Sequence, residues 1–511
     1  MGEEYDVIVV GAGNGGLMAA LNIASNGKSV LVLESNSTPG GLATSFVRGR
    51  FEFEASLREL NNFGSESDEG DIRSLFNKFD LNEKIEWVEI PEAYKIIKTD
   101  NPRCEYVIPF GVDEFIKKME EIEPGCKDKI SEFFELAKEV YNGFNYIKNN
   151  NCDMEFLKKN YPNFLNVSTY TMDEVFKKLK LPKVVEDIIK SYWIYFGVSS
   201  INMNFAHYVY FFYQYITKKG YIPKNRSQEI SNAIEKKIIG YGGKIYYNES
   251  VNKILIDNNK VSGVTTKKGN IYKSKHVIVN SSPMNVFGTM IDTVPVNALK
   301  LTNSRKLGAT AFTIYLGLDK SISELGLKNY QYLIYNSLDS NIEFENMKSL
   351  DSDTIIVTCL NNAINDASEE GTSIITITAL YYDNPFDKVL NEENYYSFKE
   401  KIASKLINRF ETSLGINIKD YIEELEISTP ITYSKYNSSP DGCIYGYMLN
   451  NFDSVISRIT NKNEDYLING LRLCGSYSYY GHGYDSTYQN GYEISNMTLK
   501  DIEKEGEAWN Q

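Results

Sequence analysis

The first forty residues restrict the fold more than any other part of the chain. Asp6-Val-Ile-Val-Val-Gly-Ala-Gly-Asn-Gly-Gly16 sets an apolar, mainly β-branched run directly against a glycine-rich turn. Tyr5–Val10 is apolar on both faces, which suits a central parallel strand covered by helices on each side. Gly11, Gly13 and Gly16 follow in the spacing G-x-G-x-x-G, with Asn14 and Gly15 at the variable positions. Leu17–Ala24 predicts a helix, Asn26-Gly27 its end, and Ser29–Leu33 a second strand closed by Glu34. Gly11 permits the tight turn, Gly13 a close approach of a pyrophosphate, and Gly16 close packing of helix on strand. The helix N-terminus offers free N–H groups and partial positive charge to the phosphates. Glu34 lies about 20 residues beyond the glycines, where a carboxylate accepts hydrogen bonds from an adenosine ribose and disfavours a 2′-phosphate. Strand, turn, helix, strand and acid in this order predict a dinucleotide-binding α/β unit.

The next residues narrow the choice of dinucleotide. Ser35-Asn-Ser-Thr-Pro-Gly-Gly-Leu-Ala-Thr-Ser45 makes a second glycine turn at Gly40-Gly41, and a short strand pair follows around Phe46–Glu54. A nicotinamide dehydrogenase usually continues into further βα units at this point. The stretch DVIVVGAGNGGLMAALNIASNGKSVLVLESNSTPGGLATSF resembles the FAD-binding N-terminus of the phytoene desaturase and retinol saturase group. That group is similar in turn to amine oxidases and protoporphyrinogen oxidases. The resemblance implies that Gly11, Gly13, Gly16, Glu34, Gly40 and Gly41 touch FAD, with Asn14, Gly15 and Ser35 alongside.

Two later segments extend the resemblance. Gly220–Ile230 opens a helix, and Gly242–Leu255, Lys260–Val264 and His276–Asn280 read as strands. They resemble the family's second FAD segment, which implies that the backbone near Val251 meets the adenine. Asn469–Ser476 and Gly481–Gly491 resemble the closing segment. There a strand ends at Gly475, and a turn and helix start containing Gly483 and Asp485 cover the flavin. The implied fold is α/β: a discontinuous Rossmann-like FAD-binding domain with an inserted substrate domain of mixed sheet plus helices. Its expected parts are FAD segments at 1–95, 216–300 and 441–511, a helical part at 96–215 and a sheet part at 301–440. Within the helical part, Ala206–Ile216 is strongly aromatic, which suits either a packed core or the wall of an apolar tunnel.

Composition excludes other classes. The 511 residues exceed one ordinary core. A net charge of −14 argues against a nucleic-acid partner, whose phosphates need neutralising cations. The six cysteines are scattered and histidines number three, so no metal site is indicated and the thiols read as reduced. No signal peptide and no apolar run of roughly 20 residues appears. A cytoplasmic chain is expected, with membrane contact at most peripheral.

The chemistry follows from the cofactor. A second dinucleotide fingerprint is missing, so the electron partner is the substrate itself or an outside NAD(P)H, quinone or oxygen. His482, in the turn expected to face the flavin, is the first candidate acid or base, followed by Tyr484 and Asp485. Glu54, close to Arg58, is a third candidate at the flavin. His207 reads as packed and His276 as exposed. The leading function is hydride transfer between flavin and a carbon–carbon bond of a hydrophobic, isoprenoid or polyene substrate, as desaturase or saturase. The alternatives are an isomerase or hydratase of an unsaturated lipid, and an amine oxidase with Tyr477, Tyr479, Tyr480 and Tyr484 around the amine.

Overall fold

The computed structural model describes residues 3–149, 153–387, 389–460 and 467–509. Cys152 lies outside them. Two sheets organise the molecule. The first is parallel, in the order Leu471–Leu473, His276–Val279, Val7–Val10, Val30–Leu33, Lys244–Tyr246. Its strands come from three distant parts of the chain, so the dinucleotide-binding unit is discontinuous. Val7–Val10 and Val30–Leu33 are buried along their whole lengths, as a strand covered on both faces must be. The helix Asn14–Ser25 crosses beneath this sheet and packs against the C-terminal helix Tyr484–Trp509. That contact is close because it is made by glycines: a Cβ at Gly491 would meet the Gly15 carbonyl oxygen at 2.1 Å.

The second sheet has seven strands, in the order Ile422–Ser428, Thr310–Leu318, Ser373–Tyr381, Ile355–Cys359, Gln331–Tyr335, Tyr94–Lys98, Cys104–Ile108. All pairings are antiparallel except Gln331–Tyr335 with Tyr94–Lys98. Two of these strands correct the sequence reading, in which residues beyond 96 open the helical part. Tyr94–Lys98 and Cys104–Ile108 belong to the sheet, and the helices begin at Val112. The edge hairpin carries charge outward, with Lys95 paired to Glu105 at 2.8 Å, which keeps its open edge from pairing with other chains.

From Val112 to Lys218 the chain is mainly helical. The aromatic helix Phe205–Lys218 meets both expectations held for it. Phe205, Tyr208, Phe212 and Tyr215 are buried in the main core, while His207 and Phe211, one turn apart, line a cavity. His276 corrects another expectation. It sits inside the parallel sheet, 5 % exposed, with Nε2 3.6 Å from Glu505. Position at a strand start misled here, because the C-terminal helix covers that end of the sheet. Among the described residues, no helix is long and apolar enough to cross a membrane.

Candidate active site

One cavity, of about 380 Å³, runs from the parallel sheet to the seven-stranded sheet. This lies within the roughly 300–1,000 Å³ usual for small-molecule sites. Its near half is built at the C-terminal ends of the parallel strands, where open α/β sheets bind their ligands. Val10 and Gly11, Leu33 and Glu34, Asn280, and Cys474 and Gly475 line it in turn.

The opening fingerprint supplies the floor. Gly11 takes φ +93°, which a residue with a side chain rarely adopts. A Cβ at Gly16 would lie 2.0 Å from the Gly11 carbonyl oxygen, so this glycine sets the contact of helix on strand and does not itself line the cavity. The helix N-cap is Gly13, without a capping side chain, and no acid occupies the first turn. Its leading N–H groups therefore stay open to an anion. Glu34 Oε2 accepts from the Ala12 N–H at 2.6 Å, and Oε1 accepts from the Asn36 N–H at 2.8 Å and the Ser35 hydroxyl at 3.1 Å. The carboxylate thus ties the ends of both strands to the turn.

The second glycine pair closes over the first. Gly40 N donates to the Ala12 carbonyl at 2.8 Å, and a Cβ on Gly41 would meet Gly13 Cα at 3.3 Å. Asn280, which sequence reasoning passed over, locks the third segment in place. A Cβ at Gly13 would meet its Nδ2 at 2.6 Å, and one at Gly475 its Oδ1 at 2.3 Å. A signal for it existed: Asn280 ends an apolar parallel strand, as Gly11 and Glu34 do. Gly11, Gly13, Asn14, Gly15, Glu34, Ser35, Gly40, Gly41, Val251, Gly475, Gly483 and Asp485 all line this one cavity. Asn14 Oδ1 is buried there without a partner in the chain. An uncapped helix end, glycine walls and an orphaned amide fit an extended dinucleotide.

The N-terminus of the C-terminal helix opens on the same space through Gly483 and Asp485. Burial pushes the Asp485 carboxyl up to about 6, against the opposing Ser486 N–H. His482 is stacked flat on Tyr445, with ring centroids 4.2 Å apart, and its Nε2 lies 2.9 Å from the Tyr195 carbonyl oxygen. A carbonyl only accepts, so Nε2 carries the proton and Nδ1, buried and unpartnered, is an acceptor. Burial holds this imidazole down at about 4, hence neutral. Tyr484 spends its hydroxyl proton on the Leu42 carbonyl at 2.8 Å.

Glu54 departs from expectation. It does not line the cavity. Its carboxylate accepts from the Ser227 N–H at 2.7 Å and from the Ser227 hydroxyl, and so holds the first residue of the helix Ser227–Gly240. Burial pushes it up to about 6. Nor does it pair with Arg58, whose guanidinium turns to the Thr378 hydroxyl at 2.7 Å.

The far half of the cavity is aromatic and apolar. Tyr192, Tyr195, Phe196, Phe211, Ile356, Leu380 and Tyr445 line it, with Arg58 and Glu59 as its charged-type residues. Burial lowers the His207 imidazole to about 3, so it too is neutral. Glu59 was also missed in the sequence, where it sits between strand and helix signals with no periodicity around it.

Fold and cradle together define a dinucleotide-binding flavoprotein oxidoreductase. The chain belongs to the flavin-containing amine oxidoreductase family, whose sequence model matches residues 15–395. A flavin held by a dinucleotide fingerprint is FAD. All-trans-retinol 13,14-reductase of Danio rerio is 26% identical over 481 residues, spanning 87% of this chain and 78% of that one. The chloroplastic prolycopene isomerase of Daucus carota is 24% identical over 468 residues, spanning 87% and 72%. The 1-hydroxycarotenoid 3,4-desaturase of Flavobacterium sp. (strain P99-3) is 25% identical over 471 residues, spanning 89% and 92%. These relatives bear out the resemblance to the phytoene desaturase and retinol saturase group. Among solved structures, an oxidoreductase from Methanosarcina mazei superposes with a TM-score of 0.63 at 16% identity, covering 97% of this chain and 99% of that one. That likeness is one of fold.

Proposed function

We propose that the chain moves hydrogen between its flavin and a carbon–carbon bond of a polyene or isoprenoid lipid. The observation that carries this reading is the continuity of the cavity. The glycine cradle passes without a wall into a compartment lined by Tyr192, Tyr195, Phe196, Phe211, Ile356 and Leu380. When bound, the flavin supplies hydride exchange. The chain's own share is to hold the pyrophosphate on the Gly13 helix end, to anchor the ribose at Glu34, and to exclude water with the aromatic wall. The relatives act on a retinol, a prolycopene and a hydroxycarotenoid, as their names state, which supports a long unsaturated substrate.

Both redox directions and isomerisation occur among those names, so product mass decides between them. Anaerobic incubation of the FAD-loaded protein with all-trans-retinol or a hydroxycarotenoid, with flavin oxidised or reduced, separates the three. A gain of two hydrogens marks a saturase, a loss of two a desaturase, and unchanged mass with altered retention an isomerase. Failure to convert any polyene in either flavin state overturns the proposal. The amine oxidase reading draws less support. Tyr479 and Tyr480 spend their hydroxyls on Glu493 and are not free to frame an amine. The electron partner, NAD(P)H, a quinone or oxygen, belongs to the same proposal. So do a cytoplasmic setting and a peripheral membrane contact for taking up a lipid.

A further inference from the structure

Reducing, forming or shifting a carbon–carbon double bond moves a proton as well as an electron pair. On the function proposed above, the flavin accounts for the hydride, and the proton must be handled by the chain. Of the candidates from the sequence, Asp485 lines the cavity beside Gly483 at the cradle, and the other three are committed elsewhere. His482 commits its N–H to the Tyr195 carbonyl, Tyr484 commits its hydroxyl to Leu42, and Glu54 faces away from the cavity.

Glu59 stands differently. The residue lines the cavity and is 9 % exposed. Two tyrosine hydroxyls bond its carboxyl. The Tyr215 hydroxyl lies 2.7 Å from the Ala93 carbonyl oxygen and 2.9 Å from Glu59 Oε2. The Tyr215 hydroxyl therefore shares its single proton between the Ala93 carbonyl and Glu59 Oε2. On the other side, the Tyr192 hydroxyl accepts from Asn61 Nδ2 at 3.3 Å and donates to Glu59 Oε1 at 3.3 Å. Glu59 is thus a buried carboxyl on a largely apolar wall, with only one shared proton from Tyr215 and one long bond from Tyr192 to support a charge. Burial raises it to about 8, outweighing the two phenol bonds. The groups that face it are the phenols of Tyr94, Tyr192, Tyr195, Tyr215 and Tyr330, each held neutral by burial, and the neighbouring Arg58 guanidinium, which is turned toward Thr378.

We propose that Glu59 is the residue that gives the proton to the substrate carbon in the saturating direction and takes it in the reverse. As one carbon of the double bond receives the hydride from reduced flavin, the π electrons form a bond from the other carbon to the Glu59 hydrogen. The Glu59 O–H bond breaks, its electron pair stays on the carboxylate, and the flavin is left oxidised. Solvent restores the proton before the next turnover.

Glu59→Gln keeps the shape and removes the acid. The FAD-loaded wild-type protein is expected to show a protonated-carboxyl C=O stretch in the infrared at pH 7, lost in E59Q and titrating near pH 8. With all-trans-retinol as the probe, E59Q should retain its flavin and lose turnover by about 10²–10⁴-fold. The wild-type rate should fall above about pH 8, a limb that E59Q lacks and Glu59→Asp partly restores. No such band in the wild-type protein overturns the proposal without any variant. An E59Q protein that turns over like wild type, with the same pH limb, also overturns it while leaving the function proposed above intact. A wild-type protein that converts no polyene overturns both.

Discussion

His482 donates its Nε2–H to the Tyr195 carbonyl at 2.9 Å and lies flat on the Tyr445 ring. The contact joins the turn before the C-terminal helix to the helical part of the substrate compartment. It fixes one tautomer and leaves Nδ1 as an acceptor. The ring is therefore expected to stay neutral from pH 9 down to about 5, with ¹⁵N NMR showing one protonated and one bare nitrogen. A doubly protonated ring at pH 6 contradicts this.

The two buried histidines also set an acid limb for stability. Burial holds His482 at about 4 and His207 at about 3, against 6.5 in an unfolded chain. Below 6.5 the unfolded chain takes up protons that the folded one refuses. Their stabilising share is present above 6.5 and is lost as pH falls through about 4. His482→Gln should flatten the fall of the melting midpoint between pH 6.5 and 4. An unchanged slope would mean that the ring is not desolvated.

Gly16→Ala tests the floor of the cradle. The added Cβ would be 2.0 Å from the Gly11 carbonyl oxygen, and that oxygen belongs to backbone that cannot swing aside. The substitution should cost about 1–3 kcal/mol of stability and weaken FAD retention. Denaturant midpoint and the flavin-to-protein absorbance ratio report the two effects separately.

Glu34→Ala removes the acceptor of the Ala12 N–H and leaves that buried donor unpaired. A loss of about 1–3 kcal/mol is expected from this group alone. Weaker FAD binding should accompany it, read by titrating FAD into the apoprotein. Unchanged FAD affinity would show that the ribose is held elsewhere.

The two halves of the site were not equally legible in the sequence. The cradle depends on local geometry: a strand, glycines at fixed offsets and an acid at the next strand end lie within thirty residues, and the structure brings them to one cavity. The substrate half depends on pairings made across the chain. Tyr94–Lys98 becomes a strand because Gln331–Tyr335 lies beside it, and nothing within 96–108 announces that partner. Glu59 acquires its environment from Ala93, Tyr192 and Tyr215, each from a different element. Its raised proton affinity could not be read from its neighbours in sequence. Glu54 shows the opposite error. The family resemblance suggested the flavin for it, yet the chain turns it to hold the start of a helix more than 170 residues away.

The central claim is that one cavity joins an FAD cradle to a compartment for an unsaturated lipid. Anaerobic flavin absorbance tests it most directly. The protein is loaded with FAD, reduced, and mixed with all-trans-retinol or a carotenoid, and the oxidised form is mixed with the saturated counterparts. The account predicts that the flavin changes redox state with at least one of these lipids, in step with a product two hydrogens heavier or lighter, or that product isomerises without net flavin change. Bound flavin that responds to an amine and to none of these lipids, with every lipid recovered unaltered, would contradict it.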